Sequence, residues 1–145
     1  MTTARDSVLR PPAAVASPPL PLLMIVEDHA DSLDMLSAFM ATQGFAVCGT
    51  STALEAIELA VTRRPDVILT DVTMPFVDGW TILTTLREHP LTAKTPIVIM
   101  TGRSDPEAHK EAERRGCSAF VTKPCDPQLL AQTLHAMLGR TVTPA

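Results

Sequence analysis

The sequence has few aromatic residues: four phenylalanines, one tryptophan and no tyrosine among 145 residues. A hydrophobic core must therefore be built mainly from leucine, valine, isoleucine, alanine and methionine. The hydrophobic content of 46% is sufficient for such a core, and the length is typical of one domain. We therefore expect a single domain with an aliphatic core.

The sequence also lacks an excess of basic residues, since 12 lysines and arginines stand against 16 aspartates and glutamates, for a net charge of −4. Proteins that bind nucleic acid need a basic surface, so direct binding to nucleic acid is not expected. No apolar run approaches the roughly 18 residues that a membrane span requires. We therefore expect neither nucleic acid nor a membrane among the partners.

Metal-ligating sulfur and imidazole groups are sparse as well. The three cysteines, Cys48, Cys117 and Cys125, form no CxxC pair, which argues against a disulfide framework or a zinc site and fits the reducing cytoplasm. The sequence leaves a redox role of Cys117 or Cys125 open. The four histidines have no metal-ligand spacing, and His29 is expected to face solvent. We predict a cytoplasmic protein.

The first 21 residues differ in composition from the rest, with five prolines within residues 11–21. Two arginines and the segment AAVA give them a superficial likeness to an export signal, but the prolines interrupt any apolar helix. We predict residues 1–21 to be a disordered Pro/Ala-rich N-terminal tail. Residues 22–139 would form the folded domain, and residues 140–145 a short C-terminal tail.

From residue 22 onward, apolar runs typical of buried strands alternate with segments of helical spacing. The predicted strands are 22–26, 45–50, 66–70, 96–100 and 118–122, and a helix follows each, the first at 31–43 and the fourth at 105–115. Asp31 and Thr52 are the expected N-caps of the first two helices. The pattern predicts an α/β fold: a doubly wound, five-stranded parallel sheet of flavodoxin-like (βα)5 topology between two helix layers.

Polar residues stand where four of the predicted strands end: Glu27 and Asp28, Asp71, Thr101, and Lys123. The carboxyl ends of parallel strands meet at one edge of the sheet, so we expect these side chains to share a shallow pocket. Close carboxylates repel one another unless a cation lies between them, and oxygen ligands with room for water suit Mg²⁺. Such a pocket could bind a phosphoryl group and attack its phosphorus with an aspartate.

This arrangement resembles the receiver domain of bacterial two-component response regulators, the CheY-like fold, over residues 22–139. Each motif alone is weak, but their order along the chain makes the combination specific. The matching residues stand at the strand ends and in the loop after the third strand: Glu27, Asp28, Asp71, Met74-Pro75, Asp78-Gly79, Thr101 and Lys123-Pro124. The resemblance implies a phosphorylation-activated signalling switch, here a stand-alone single-domain regulator.

The resemblance also implies a role for each acidic residue. Asp71 would accept a phosphoryl group from the phosphohistidine of a partner. Asp28 and Asp71 would ligate Mg²⁺, or Mn²⁺ in its place, together with the backbone carbonyl of Thr73. Glu27 would contribute to the same metal site directly or through a water molecule.

The remaining matches would couple the phosphoryl group to an output surface. Lys123 would pair with the phosphoryl group, ahead of a cis peptide bond to Pro124. Thr101 and Phe120 would form the switch pair, the hydroxyl moving toward the phosphate as the ring turns inward. Output would use the face of the fourth helix, fifth strand and fifth helix. The fourth helix has only Ala108 and Ala112 as apolar residues, so it packs thinly and is either a partner surface or simply solvent-exposed.

The implied partners are a sensor histidine kinase or histidine phosphotransfer protein, and a downstream protein of unknown identity. The chain would be a monomer or a phosphorylation-dependent dimer. It would not be an enzyme, and would catalyse at most its own slow phosphotransfer and dephosphorylation. Two alternatives stay open. One is a Mg²⁺-dependent aspartyl-phosphate hydrolase of the haloacid-dehalogenase type, which would need an acid where Thr73 stands. The other is a degenerate receiver that only binds partners, which the intact set of site residues disfavours.

Overall fold

The computed structural model describes residues 19–72, 79–102 and 106–139. Five strands form one sheet, in the order β2-β1-β3-β4-β5 and with all neighbours parallel. Their bounds are β1 Leu22–Val26, β2 Ala46–Thr50, β3 Val67–Asp71, β4 Ile97–Thr101 and β5 Ala119–Thr122. Every residue of β3 and β4 is buried, as expected for strands covered by helices on both faces.

Five helices follow the strands in turn and complete the (βα)5 pattern. Their bounds are α1 Ala30–Ala41, α2 Ala53–Arg63, α3 Gly79–Glu88, α4 Pro106–Arg114 and α5 Pro127–Met137. Proline opens α4 and α5, where its missing N–H costs nothing and its fixed φ suits the helix. Gly44 and Gly116, which follow α1 and α4, have φ of +91° and +93°, a conformation that glycine adopts readily.

The helix caps confirm part of the sequence prediction and correct another part. The Thr52 side chain accepts a hydrogen bond from Glu55 N at 3.2 Å, as its spacing predicted. Asp31 is not a cap: α1 begins at Ala30, and His29 holds the N-cap position without a side-chain cap bond. The Asp31 prediction was wrong because the chain enters the helix one residue earlier, leaving Asp31 in the first turn, where a negative charge is still favourable.

The core consists of two clusters, one on each face of the sheet, so the predicted three-layer α/β/α architecture is confirmed. The first cluster joins β1, β3 and β4 to α2, α3 and α4, and includes Met24, Ile68, Leu83 and Ala112. The second joins the opposite faces of the same strands to α1 and α5, and includes Leu69. Alternate residues of each strand enter opposite clusters, which is the period of a β-strand.

Strand order reverses between β1 and β3, because β2 lies to one side of β1 and β3 to the other. In open parallel sheets, ligands bind beyond the carboxyl ends of the strands at such a point. None of the helices within the described ranges is long and apolar enough to span a bilayer. The predicted tails fall mainly on residues 1–18 and 140–145, which lie outside the described residues, so the domain boundaries stay a prediction.

Candidate functional site

The predicted site residues lie together at the carboxyl edge of the sheet. Asp71 and Thr101 are the last residues of β3 and β4, and each is nearly inaccessible to solvent, at 2% and 1% exposure. Glu27 follows β1 and is equally buried, held by a hydrogen bond from its backbone N–H to Thr50 O at 3.0 Å. Lys123 follows β5, and its N–H donates to Thr101 O at 2.7 Å.

The ammonium of Lys123 joins two of the buried carboxylates. Its Nζ donates to Asp71 Oδ2 and lies 3.5 Å from Glu27 Oε1. The two carboxylates have side-chain exposures of 3% and 2%, whereas the lysine side chain is 34% exposed. The Lys123–Pro124 peptide bond is cis, as expected. The Lys123 ammonium thus offsets part of the repulsion between these two carboxylates.

The environment of Lys123 shifts its proton equilibrium. Partial burial pulls the pKa of Lys123 down, but the hydrogen bond and charge of Asp71 and the charge of Glu27 outweigh it, so the pKa lies above its usual value. The ammonium is therefore fully charged at neutral pH. It can balance negative charge on a phosphoryl group as well as on a carboxylate.

The acidic pair carries a further contact that the sequence did not predict. His29 is exposed, at 74%, as expected, but its Nδ1 lies 3.2 Å from Asp28 Oδ1 and 3.4 Å from Glu27 Oε2. Oxygen and nitrogen atoms of these three residues lie within 4.8 Å of one another, close enough to share a metal ion. An exposed histidine beside an acidic pair is a local signal that could have been used.

The charges of the site favour a divalent cation. Three carboxylates (Glu27, Asp28 and Asp71) and one ammonium (Lys123) sum to −2 with His29 neutral. Hard oxygen donors of this kind fit Mg²⁺, which also keeps several waters and binds phosphate oxygens. The donor set therefore suits the predicted metal. Thr73, whose carbonyl was the fourth predicted ligand, lies outside the described residues.

The two predicted switch residues occupy neighbouring strands. Thr101 is buried at the end of β4, and its register partner on β5 is Thr122, two residues after Phe120. The Phe120 ring is half-buried and packs against the first core cluster. Its outer face stacks on the imidazole of His109 from α4, with ring centroids 4.9 Å apart and planes 12° apart. The sequence did not predict this contact.

An apolar groove runs from the site between α1 and α5, and we refer to it as the α1–α5 groove. It encloses about 800 Å³, and Met35 on α1 is 73% exposed beside it. Glu27 and Lys123 line its end as well as the carboxylate site. Its other lining residues are Ser32, Met35, Leu36, Phe39, Met100, Pro124, Cys125, Pro127 and Leu130. The apolar exposed position of Met35 on α1 was a signal for this surface that sequence reasoning missed.

Comparison with known proteins is consistent with this geometry. A family profile described as "Response regulator receiver domain" matches residues 23–135. The chain is 28% identical over 117 residues to Protein PilH of Pseudomonas aeruginosa, covering 81% of this chain and 97% of that protein. It is 30% identical over 118 residues to the probable transcriptional regulator ycf29 of Porphyra purpurea, covering 81% of this chain and 56% of the relative. The chain thus spans nearly all of one relative and about half of the other.

A solved structure of a response regulator is similar to this chain in its backbone fold. The chemotaxis response regulator CheY4 of Vibrio cholerae superimposes with a TM-score of 0.76 at 28% identity. The match covers 81% of this chain and 98% of that one. The fold is therefore the one that the sequence predicted.

Proposed function

This chain belongs to the response regulator receiver domain family of two-component signalling, and on that premise we propose that Asp71 is its phosphoryl acceptor. The supporting observation is the contact of the buried Asp71 carboxylate with the Lys123 ammonium at the carboxyl edge of the sheet. A carboxylate there lies at the edge of the sheet that an incoming phosphoryl group would reach, and the Lys123 ammonium balances its charge. The donor would be a sensor histidine kinase or a histidine phosphotransfer protein.

In the proposed transfer, a carboxylate oxygen of Asp71 bonds to phosphorus as the P–N bond to the donor histidine breaks. The electron pair of that bond stays on the imidazole nitrogen, which takes a proton from solvent. Lys123 moves its ammonium from the carboxylate toward a phosphoryl oxygen, and the Thr101 hydroxyl donates to another. Transfer of this kind needs mainly positioning and charge neutralisation, and these residues supply both.

The proposed metal site uses Glu27, Asp28, Asp71 and the Thr73 carbonyl. Bound Mg²⁺, or Mn²⁺ in its place, would supply the positive charge that offsets the formal −2 of the site as the phosphoryl group arrives. Glu27 is buried and shared with Lys123, whereas Asp28 is partly exposed. Asp28 therefore offers the more accessible carboxylate, and Glu27 would orient Lys123 as well as ligate the metal.

The α1–α5 groove is the proposed docking surface of the phosphodonor protein. A donor histidine must approach Asp71 from outside the sheet edge, and the groove begins at Lys123 and Glu27, which border that edge. Its lining is mainly apolar and Met35 stands out into solvent, so an amphipathic helix of the donor can lay its apolar face there. Contacts in this groove would position the donor without taking part in the chemistry.

The proposed output is a change on the face of α4, β5 and α5. Thr101 would turn toward the phosphoryl group and Phe120 would turn inward, changing the surface beside α4. The downstream partner would be a protein, and phosphorylation would thereby control either its binding or the pairing of two copies of this chain. The chain would have no enzymatic turnover beyond slow loss of its own phosphoryl group.

Incubation with acetyl phosphate and Mg²⁺, followed by intact mass spectrometry, tests this proposal. We expect one stable phosphoryl adduct on the wild-type protein and none on Asp71→Asn or after chelation of the metal. Rapid multiple turnover of a phosphate ester such as p-nitrophenyl phosphate would instead favour the hydrolase alternative. An unmodified protein, together with no response to beryllofluoride, would favour the degenerate receiver and overturn the proposal.

A further inference from the structure

α4 is held to the sheet by few apolar contacts, and one of its contacts is aromatic. Ala108 and Ala112 are the buried residues of this helix, and both are small. His109, between them in sequence, stacks its ring on Phe120 of β5 at 4.9 Å between centroids and 12° between planes. Stacking of two rings therefore supplies a directional contact between this thinly packed helix and the proposed switch residue.

The imidazole of His109 makes a second contact, through a ring nitrogen. Its Nε2 lies 3.4 Å from Glu113 Oε1, one helical turn further along α4. Both side chains are more than half exposed, at 57% and 68%, so this pair adds little stability by itself. In the side-chain direction that makes this contact, the imidazole plane lies nearly parallel to the Phe120 ring.

We propose that His109 is a positioning residue that holds the Phe120 ring on α4 in the unphosphorylated state and so raises the threshold for activation. This rests on the proposed switch role of Phe120. An interaction made in only one of two conformations shifts the equilibrium toward that conformation by its full worth. If Phe120 turns inward on activation, the stack on His109 is lost, and every activating ligand must overcome it.

The size of the effect follows from the strength of ring stacking. Aromatic pairs contribute an amount that corresponds to about a two- to tenfold change in an equilibrium constant. Removing the imidazole should therefore favour the activated conformation by about that factor. By linkage, a ligand that selects the activated conformation then binds tighter by a similar factor, up to the point where that conformation dominates without ligand.

The sole tryptophan offers a built-in readout. Trp80 is half-buried at the start of α3 and lines one side of a cleft of about 380 Å³, whose other side is α4. The guanidinium of Arg115, which follows α4, lies 5.9 Å from its ring centroid. A movement of α4 that accompanies rotation of Phe120 should therefore change the fluorescence of Trp80.

The test is a beryllofluoride titration in saturating Mg²⁺, followed by Trp80 fluorescence, on the full chain. We expect His109→Ala to reach half-saturation at about a two- to tenfold lower beryllofluoride concentration than wild type. His109→Phe keeps a ring that can stack and should return the value to near wild type. Lys94→Ala, at an exposed lysine outside α4 and outside the Trp80 cleft, is the matched control and should leave it unchanged.

A second measurement tests the stack without any ligand. In protein with ¹³C-labelled phenylalanine, the Phe120 ring signals, assigned with Phe120→Leu, should shift in His109→Ala. They should stay near their wild-type positions in Lys110→Ala, a substitution at an exposed neighbour on the same helix. Unchanged Phe120 signals in His109→Ala would overturn the stack. Equal or weaker beryllofluoride binding by His109→Ala would overturn the threshold role.

Failure of this inference is distinguishable from failure of the proposed function. If wild type responds to beryllofluoride and Asp71→Asn does not, while His109→Ala matches wild type, only the role of His109 is refuted. If wild type neither responds to beryllofluoride nor is modified by acetyl phosphate, the phosphoacceptor proposal is refuted, and the threshold role with it.

Discussion

Replacing Lys123 with methionine tests whether its ammonium is what allows two buried carboxylates to lie side by side. Lys123 Nζ contacts both Asp71 and Glu27, whose side chains are 3% and 2% exposed. Methionine keeps an unbranched apolar stem and removes the charge. The variant should therefore lose stability because two neighbouring carboxylates remain buried without their cation.

The magnitude follows from how far the pair is buried. Removing one partner of a fully buried ion pair costs about 3–5 kcal/mol, whereas an exposed pair contributes about 0–1 kcal/mol. The lysine side chain is 34% exposed, so the cost should lie between these limits, at about 2 kcal/mol of the free energy of unfolding. For a domain of this size, the expected fall in Tm is roughly 6–12 °C.

Mg²⁺ should restore more stability to Lys123→Met than to wild type. Loss of the ammonium takes the formal charge of the site from −2 to −3, which strengthens binding of a divalent cation, and a ligand that binds only the folded state raises Tm. Thermal unfolding followed by circular dichroism, with and without saturating Mg²⁺, measures both effects. Lys94→Met, at an exposed lysine outside the site, is the matched control.

The pH dependence of this stability difference has a definite sign. The pKa of Lys123 is raised in the folded protein, because Asp71 and Glu27 outweigh the effect of partial burial. Its contribution is therefore fully present below the unfolded pKa of about 10.4 and is lost only as the pH rises through the higher folded value. A Lys123→Met protein with the Tm of Lys94→Met at pH 7 without metal would refute the reasoning.

Three further predictions concern other parts of the molecule. Met35→Glu should slow phosphotransfer from a histidine kinase about fivefold or more but leave phosphorylation by acetyl phosphate unchanged. Leu54→Glu, at a similarly exposed position on α2, should affect neither rate, and equal rates for Met35→Glu and wild type with the kinase would refute the docking surface. Arg87→Leu should lower the free energy of unfolding, measured by urea denaturation, by about 2–3 kcal/mol. The Arg87 guanidinium donates to several backbone carbonyls of the loops around it, and a loss below about 0.5 kcal/mol would contradict this reasoning. Burial, together with the charge of Glu113, raises the pKa of the Cys117 thiol. Iodoacetamide should therefore modify Cys117 more slowly at pH 7.5 than it modifies free cysteine, and the rate should rise with pH. Modification as fast as that of free cysteine would contradict this prediction.

The sheet and the edge that carries the site were predictable, because both depend on local patterns. Continuous apolar runs identified the strands of the buried sheet, and each polar site residue follows such a run directly. The strand bounds differ by one residue at Asp71 and Thr101, which belong to β3 and β4 since their backbones continue the parallel pairing. This shift leaves the position of the site at the edge unchanged.

The contacts between side chains were not predictable in the same way. The stack of His109 on Phe120 and the multiple bonds of Arg87 join residues from separate elements, and their formation depends on rotamers and on how helices sit on the sheet. Periodicity indicates which face of a helix is apolar but does not indicate which residue it meets. The contact of His29 with the acidic pair likewise depends on where α1 begins, which the Asp31 prediction misjudged.

The central claim, that Asp71 accepts the phosphoryl group, is tested most directly by mapping the modified residue. Protein phosphorylated with acetyl phosphate and Mg²⁺ is reduced with borohydride, which converts a phosphoaspartate to homoserine, and is then digested and sequenced by mass spectrometry. Homoserine should appear at position 71, in a Mg²⁺-dependent manner, and at none of the other aspartates. Homoserine at Asp28 or elsewhere with Asp71 unmodified would contradict the account.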